Sequence, residues 1–135
     1  MSVSIKLSRT GCLGPCPIYT MTIHSAGKVF WEGEMFVKVV GKAEWDLTKE
    51  KISAIEKIID EFKYFEISKG QSGNGRVTCM PSCITSVELK SGRYKTIDHY
   101  HGDDAWPKEL TKFEDKIDRI AGTKKYIGKA TDWMQ

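Results

Sequence analysis

Four cysteines, arranged as two pairs of identical spacing, are the residues of this chain best suited to chemistry. Cys12 and Cys16 enclose Leu-Gly-Pro, and Cys79 and Cys83 enclose Met-Pro-Ser. Thiols at this spacing can chelate a metal, close a small disulfide or act as a redox couple. Zinc binds four soft ligands in a tetrahedron, often supplied by two short paired loops. The sequence therefore predicts a site at these four cysteines, with zinc as the candidate cofactor and disulfide formation as the competing interpretation.

Two further interpretations of the cysteines stay open. Buried thiols can pack simply as small hydrophobic side chains. Redox catalysis is disfavoured because a reactive thiol is usually activated at a helix N-terminus, whereas Cys16 leads into a strand-like run. A shared metal requires both loops to lie at the same end of the fold, and separate disulfides do not.

A second polar cluster, formed by His99, His101, Asp103 and Asp104, lies at the end of the last predicted strand. Alternation places His99 and His101 on the same face if the strand continues that far. Imidazole and carboxylate groups together bind transition metals, so a hydrolytic or metal centre is one hypothesis. The favoured hypothesis is a polar strand end, in which Asp103 or Asp104 caps the following helix.

Alternating apolar and polar residues predict the strands of the first half. These predicted strands cover residues 2–7, 19–24, 29–31 and 36–40. A loop rich in glycine and proline separates the first two, and Gly27 supplies a hairpin turn before the third. Thr48 is expected to cap a helix with one apolar face. That face consists of Ile52, Ile55, Ile58, Ile59 and Phe62.

The second half repeats this order. The predicted strands are 85–89 and 94–100, and Pro107 suits the first turn of a helix with apolar Leu110, Phe113, Ile117 and Ile120. Residues 69–75 contain three glycines and predict a mobile surface loop. We therefore predict an α+β fold with a single domain over residues 1–135. Two ββα pseudo-repeats, at about 9–66 and 76–128, are expected to form one antiparallel sheet with the helices packed on one face.

The first cysteine loop also carries a family resemblance. The run Cys12-Leu-Gly-Pro-Cys16-Pro-Ile-Tyr19, followed by Gly27 and Trp31-Glu-Gly, resembles the signature of a bacterial family of domains of unknown function. In that family a Cys-x-Gly-x-Cys-Pro-x-Tyr loop precedes a β-hairpin. The resemblance extends over nearly the whole chain and implies no established activity. Many members resemble secreted or lipid-anchored proteins, and an acidic residue often stands where this chain has Cys79.

Composition limits the classes of function. A chain of 135 residues, 40% of them hydrophobic, suits one globular domain. A net charge of +3 is small for a nucleic-acid-binding face, so we expect no nucleic-acid partner. No apolar run has the length of a signal peptide or membrane span, which predicts a cytoplasmic protein without a membrane partner.

The sequence contains no recognised catalytic signature. We therefore predict a non-catalytic binding or interaction module with structural cysteine loops, whose ligand is a protein or a small molecule. The alternative is a thiol- or zinc-dependent enzyme centred on the two cysteine loops.

Overall fold

The computed structural model describes residues 3–70 and 78–133. The strands in these residues are β1 (Val3–Arg9), β2 (Ile18–Ile23), β3 (Lys28–Met35), β4 (Gly41–Asp46), β5 (Ser82–Leu89) and β6 (Tyr94–Tyr100). The helices are α1 (Lys49–Glu61), α2 (Lys108–Ala121), α3 (Lys124–Ile127) and α4 (Ala130–Trp133), with a 3₁₀ turn at Tyr64–Glu66. Within the described ranges, no helix is both long and apolar enough to cross a membrane.

The six strands form one antiparallel sheet in the order β4-β3-β2-β1-β5-β6. Strand β1 lies between β2 and β5 and is antiparallel to both. Because β2 and β5 therefore run in the same direction, both begin at the end of the sheet where β1 finishes. The predicted α+β fold with a single antiparallel sheet is confirmed. The division into two ββα pseudo-repeats stays a prediction.

Side-chain alternation explains which face of the sheet is buried. In β1, Val3, Ile5 and Leu7 are buried, whereas Lys6 is exposed. The apolar faces of α1 and α2 join the same core as the buried sheet residues. The rings of Tyr64 and Phe113, whose centroids lie 5.0 Å apart, connect the 3₁₀ turn to α2 inside this core.

The N-cap residues of α1 and α2 can be compared with the predicted caps. Thr48 caps α1 as predicted, because its hydroxyl accepts a hydrogen bond of 3.2 Å from the amide of Lys51. The N-cap residue of α2 is Pro107, and this helix has no capping hydrogen bond from a side chain at that position. The prediction that Asp103 or Asp104 caps this helix is therefore wrong. The Asp103 carboxylate instead accepts from the amide of Ala105, at 3.0 Å.

The predicted strand over residues 36–40 is also wrong. Strand β3 ends at Met35, the backbone turns at Phe36 with φ of 56°, and the next strand is β4. The segment between them bonds to the C-terminal region: the amide of Val39 donates to the carbonyl of Tyr126 at 3.0 Å. Local alternation cannot reveal such a distant partner. The predicted loop over residues 69–75 falls mostly on residues 71–77, which lie outside the described ranges.

Gly33 in β3 lies so close to the backbone of another segment that no side chain would fit there. A Cβ atom at this position would lie 2.1 Å from the carbonyl oxygen of Val39, which already accepts a hydrogen bond of 2.9 Å from the Trp31 indole. We expect Gly33→Ala to lower the free energy of unfolding by about 2 kcal/mol or more.

Gly14 provides the matched control, since a Cβ there would meet no atom within 4 Å. Gly14→Ala should change the free energy of unfolding by less than about 0.5 kcal/mol. Urea denaturation followed by circular dichroism measures both values. Equal stabilities of the two variants would contradict the packing around Gly33.

Candidate metal centre and the buried polar row

The two cysteine loops lie at the same end of the sheet and touch. The amide of Thr10 donates to the carbonyl of Ser82 at 3.0 Å, and the amide of Leu13 donates to the carbonyl of Cys79 at 3.3 Å. This contact follows from the topology, because β1 finishes where β5 begins. The geometric condition for a shared site is therefore met.

The four cysteines are in three different situations. Cys12 and Cys16 form a disulfide, with their Cα atoms 5.7 Å apart. Cys79 is a free, exposed thiol, and Cys83 is a free thiol buried in the core. A zinc site made of all four thiolates stays a prediction, and it would require reduction of the Cys12–Cys16 bond.

A row of polar side chains crosses the buried face of the sheet next to these loops. Strand register aligns Tyr19 with Arg9, Arg9 with Cys83, and Cys83 with His99. Neighbours in register project from the same face, so these four side chains form a continuous line under α2. We call this line the polar row.

Helix α2 places two carboxylates over the polar row. Glu114 and Asp118 are four residues apart and therefore project from the same side of the helix, one turn from each other. Each carboxylate binds one end of the row: Asp118 the Arg9 end and Glu114 the His99 end.

Asp118 accepts hydrogen bonds from three other side chains. The Arg9 guanidinium donates at 2.6 Å, and the hydroxyls of Tyr19 and Thr123 each donate at 2.7 Å. Burial, followed by the charge of Asp118, raises the pKa of Tyr19 well above its usual range, so the phenol remains a proton donor. This cluster fixes α2 against β1 and β2.

Glu114 bridges two histidines. Its Oε2 lies 2.7 Å from Nδ1 of His99, and its Oε1 lies 3.0 Å from Nε2 of His101. Burial alone would raise the pKa of Glu114, but the hydrogen bonds and positive charges of the two imidazoles outweigh it and hold that pKa below its usual range. The carboxylate is therefore ionised although its side chain is fully buried.

His99 packs against other rings, whereas the nearby Asp103 binds a different partner. The His99 ring lies 4.4 Å from that of His101 and 6.1 Å from that of Trp106, measured between centroids. Asp103 instead forms an ion pair with Lys69, at 2.6 Å. The structure thus brings together the two histidines of the predicted polar cluster but directs Asp103 elsewhere.

Glu114 was not among the site residues predicted from the sequence. The signal was present, since position 114 is four residues after Leu110 and three before Ile117, on the apolar face of the predicted helix. A carboxylate at such a position must find a buried partner, and histidines are suitable partners.

Together the three side chains can hold a metal ion. One ligand atom from each of His99, His101 and Glu114 lies within 4.8 Å of the other two. Two imidazoles and a carboxylate are ligands that zinc and related ions accept, and three protein ligands leave a fourth coordination position open.

Comparison with known proteins identifies a family. The family described as a domain of unknown function, DUF6438, matches residues 3–121 of the chain. This confirms the predicted membership of an uncharacterised domain family. Its bacterial origin and its cysteine signature stay predictions. No curated protein matches the sequence.

The Arg9–Asp118 pair should contribute strongly to stability, since both side chains are largely buried, at 18% and 13% exposure. Asp118→Ala removes an acceptor from Arg9, Tyr19 and Thr123, so we expect a loss of about 2–4 kcal/mol in the free energy of unfolding. Asp115→Ala is the matched control, because Asp115 contacts the same guanidinium at 3.4 Å but is 66% exposed. It should cost less than about 1 kcal/mol in chemical denaturation. A similar loss for both variants would contradict the importance of the buried pair.

The two free thiols should react at very different rates. Burial raises the pKa of Cys83 well above its usual range, against the opposing charge of Arg9, and the side chain is inaccessible. Under native conditions we expect iodoacetamide to modify Cys79 rapidly and Cys83 only after unfolding. Mass spectrometry of tryptic peptides at successive times measures this. Equal labelling of both residues in the native protein would show that Cys83 is not held in the core.

Proposed function

The chain belongs to the DUF6438 family of domains of unknown function, and we propose that it is a non-catalytic binding module for a divalent transition-metal ion of the zinc class. The observation that carries this proposal is the convergence of His99, His101 and Glu114, whose ligand atoms lie within 4.8 Å of one another. Zinc accepts this set of two nitrogens and one oxygen.

The dimensions of the cluster suit an ion. Zinc binds imidazole nitrogen and carboxylate oxygen at about 2.0–2.2 Å, so ligand atoms in a tetrahedron stand about 3.3–3.5 Å apart. The present distances from Glu114 to the two histidines are 2.7 and 3.0 Å. The ion would fit between these groups if they moved slightly apart. A bound ion would take the place of the hydrogen-bonding protons, which would be released to water.

The support of the cluster favours a preorganised site. Asp118, one turn along α2, is bound by Arg9, Tyr19 and Thr123, which prevents the helix from sliding over the sheet. The position of the Glu114 carboxylate relative to His99 is therefore fixed. Such fixing of a ligand by groups outside the coordination sphere increases metal affinity.

Burial favours binding over turnover. The exposed fraction of the side chain is 0% for Glu114, 6% for His99 and 21% for His101. His101 is the most exposed of the three ligands, and a substrate larger than an ion would find the other two covered. The buried cluster therefore supports a module that holds an ion.

A second candidate function rests on the number of ligands. Three protein ligands and a water molecule are typical of catalytic zinc, which activates that water as a nucleophile. Hydrolysis of p-nitrophenyl acetate by the zinc-loaded chain tests this alternative. We expect no turnover above that of the His101→Ala variant. Saturable turnover that the variant loses would contradict a non-catalytic role.

Metal binding is tested by calorimetric titration of the metal-free chain with zinc. We expect one ion per chain, with affinity reduced at least about tenfold in both His101→Ala and Glu114→Gln. His24→Ala is the matched control, because the third histidine of the chain is exposed and packs against Phe30 outside the cluster. It should bind zinc like the parent chain.

Circular dichroism must show that the variants are folded. Equal affinities for the parent chain, His101→Ala and Glu114→Gln would overturn the proposed site. Loss of binding in Cys79→Ser, with binding retained in His101→Ala, would place the ion at the cysteine loops instead.

A further inference from the structure

We propose that Cys12, Cys16 and Cys79 form one thiol–disulfide exchange site, in which the Cys79 thiolate attacks Cys12 and displaces Cys16. None of these sulfurs belongs to the histidine–glutamate cluster, so this proposal stands independently of metal binding. It assigns a chemical role to the touching cysteine loops that the proposed metal site leaves unexplained.

The contact between the loops brings the backbones of Cys12 and Cys79 close together. The β1–β5 register pairs Arg9 with Cys83 and continues to Thr10 with Ser82, whose backbones are bonded at 3.0 Å. Beyond the strands, the hydrogen bond of 3.3 Å from Leu13 to Cys79 follows the same register. Cys12 is therefore the direct neighbour of the residue that lies opposite Cys79. This hydrogen bond joins the peptide group that follows Cys12 to the one that follows Cys79, so the two backbones are close at these residues, as a disulfide with Cα atoms about 4.4–6.8 Å apart requires.

The accessibility of the sulfurs fits their roles. Cys79 is exposed, as an attacking thiol must be. Cys12 and Cys16 are half-buried, so the disulfide is reachable. Cys83 is buried and cannot compete as the attacking group.

The backbone of Cys79 is also unusual. Its φ of 65° lies in the left-handed region, which residues with a side chain seldom adopt. Such strained conformations persist where the surrounding structure holds them, and they are concentrated at functional positions. Here the hydrogen bond from Leu13 ties this residue to the disulfide loop.

The exchange step balances without an external oxidant. A bond forms between the sulfurs of Cys79 and Cys12 while the Cys12–Cys16 bond breaks. Cys16 leaves as a thiolate and takes up the proton that Cys79 lost. The number of disulfides is unchanged, but a bond inside one loop becomes a bond between two loops, and Cys16 becomes a free thiol.

Peptide mapping of the full chain tests this exchange. Trypsin leaves Cys12 and Cys16 together in peptide 10–28, and Cys79 and Cys83 together in peptide 77–90. The unreduced chain is incubated at about pH 8.5, the ordinary pKa of a thiol, then acid-quenched, alkylated and digested. We expect a linked pair of these peptides, with alkylation lost from Cys79 and gained at Cys16. Alkylation of Cys79 without any linked peptides at all incubation times would overturn the proposal.

A trapping variant tests the same geometry under mild oxidation. In Cys16→Ser, oxidised glutathione should accept two electrons from Cys12 and Cys79 and join them, releasing two molecules of reduced glutathione. The additional change Cys83→Ser should leave this bond intact, and Cys79→Ser should abolish the linked peptides. Linked peptides that depend on Cys83 but not on Cys79 would contradict the assignment of the attacking sulfur.

Discussion

Two carboxylates on one side of α2, those of Glu114 and Asp118, are packed against the buried face of the sheet, and the surrounding polar groups are arranged to satisfy them. Burying a charged group without partners costs several kcal/mol, so a fold with both carboxylates in this position must supply hydrogen-bond donors. The polar row and its neighbours supply a guanidinium, two hydroxyls and two imidazoles. These partners come from β1, β2, β6 and the segments after β6 and α2, and they fix how the helix lies on the sheet.

The strand order places the candidate chemistry at one end of the molecule. Because β1 is central and antiparallel to both neighbours, the loop that follows it meets the segment that precedes β5. The cysteine loops therefore lie next to the middle of the polar row, with Cys83 inside the row and Cys79 outside it. Cys79 and Cys83, although only four residues apart, therefore lie in two different environments. The buried thiol packs beneath α2, whereas the backbone carbonyl of the exposed Cys79 accepts a hydrogen bond from the disulfide loop.

The sequence predicted those features that depend on local patterns. Alternation located β1, β2 and most of β5, Thr48 was identified as a cap, and helical spacing identified the buried faces of α1 and α2. Features that depend on distant partners were missed. The segment before β4 has a run of apolar residues like that of a strand, but its backbone is hydrogen-bonded to residues near position 126 instead of to the sheet. Glu114 could be placed on a buried face from spacing alone, but its two imidazole partners become visible only when β6 and α2 are brought together.

The local environment of a bound zinc ion tests the central claim most directly, and X-ray absorption spectroscopy of the zinc-loaded chain measures it. The account predicts nitrogen and oxygen neighbours at about 2.0–2.2 Å, with the outer scattering of two imidazole rings and no sulfur. This result would place the ion between His99, His101 and Glu114. Sulfur neighbours at about 2.3 Å would place it on the cysteines and contradict the account.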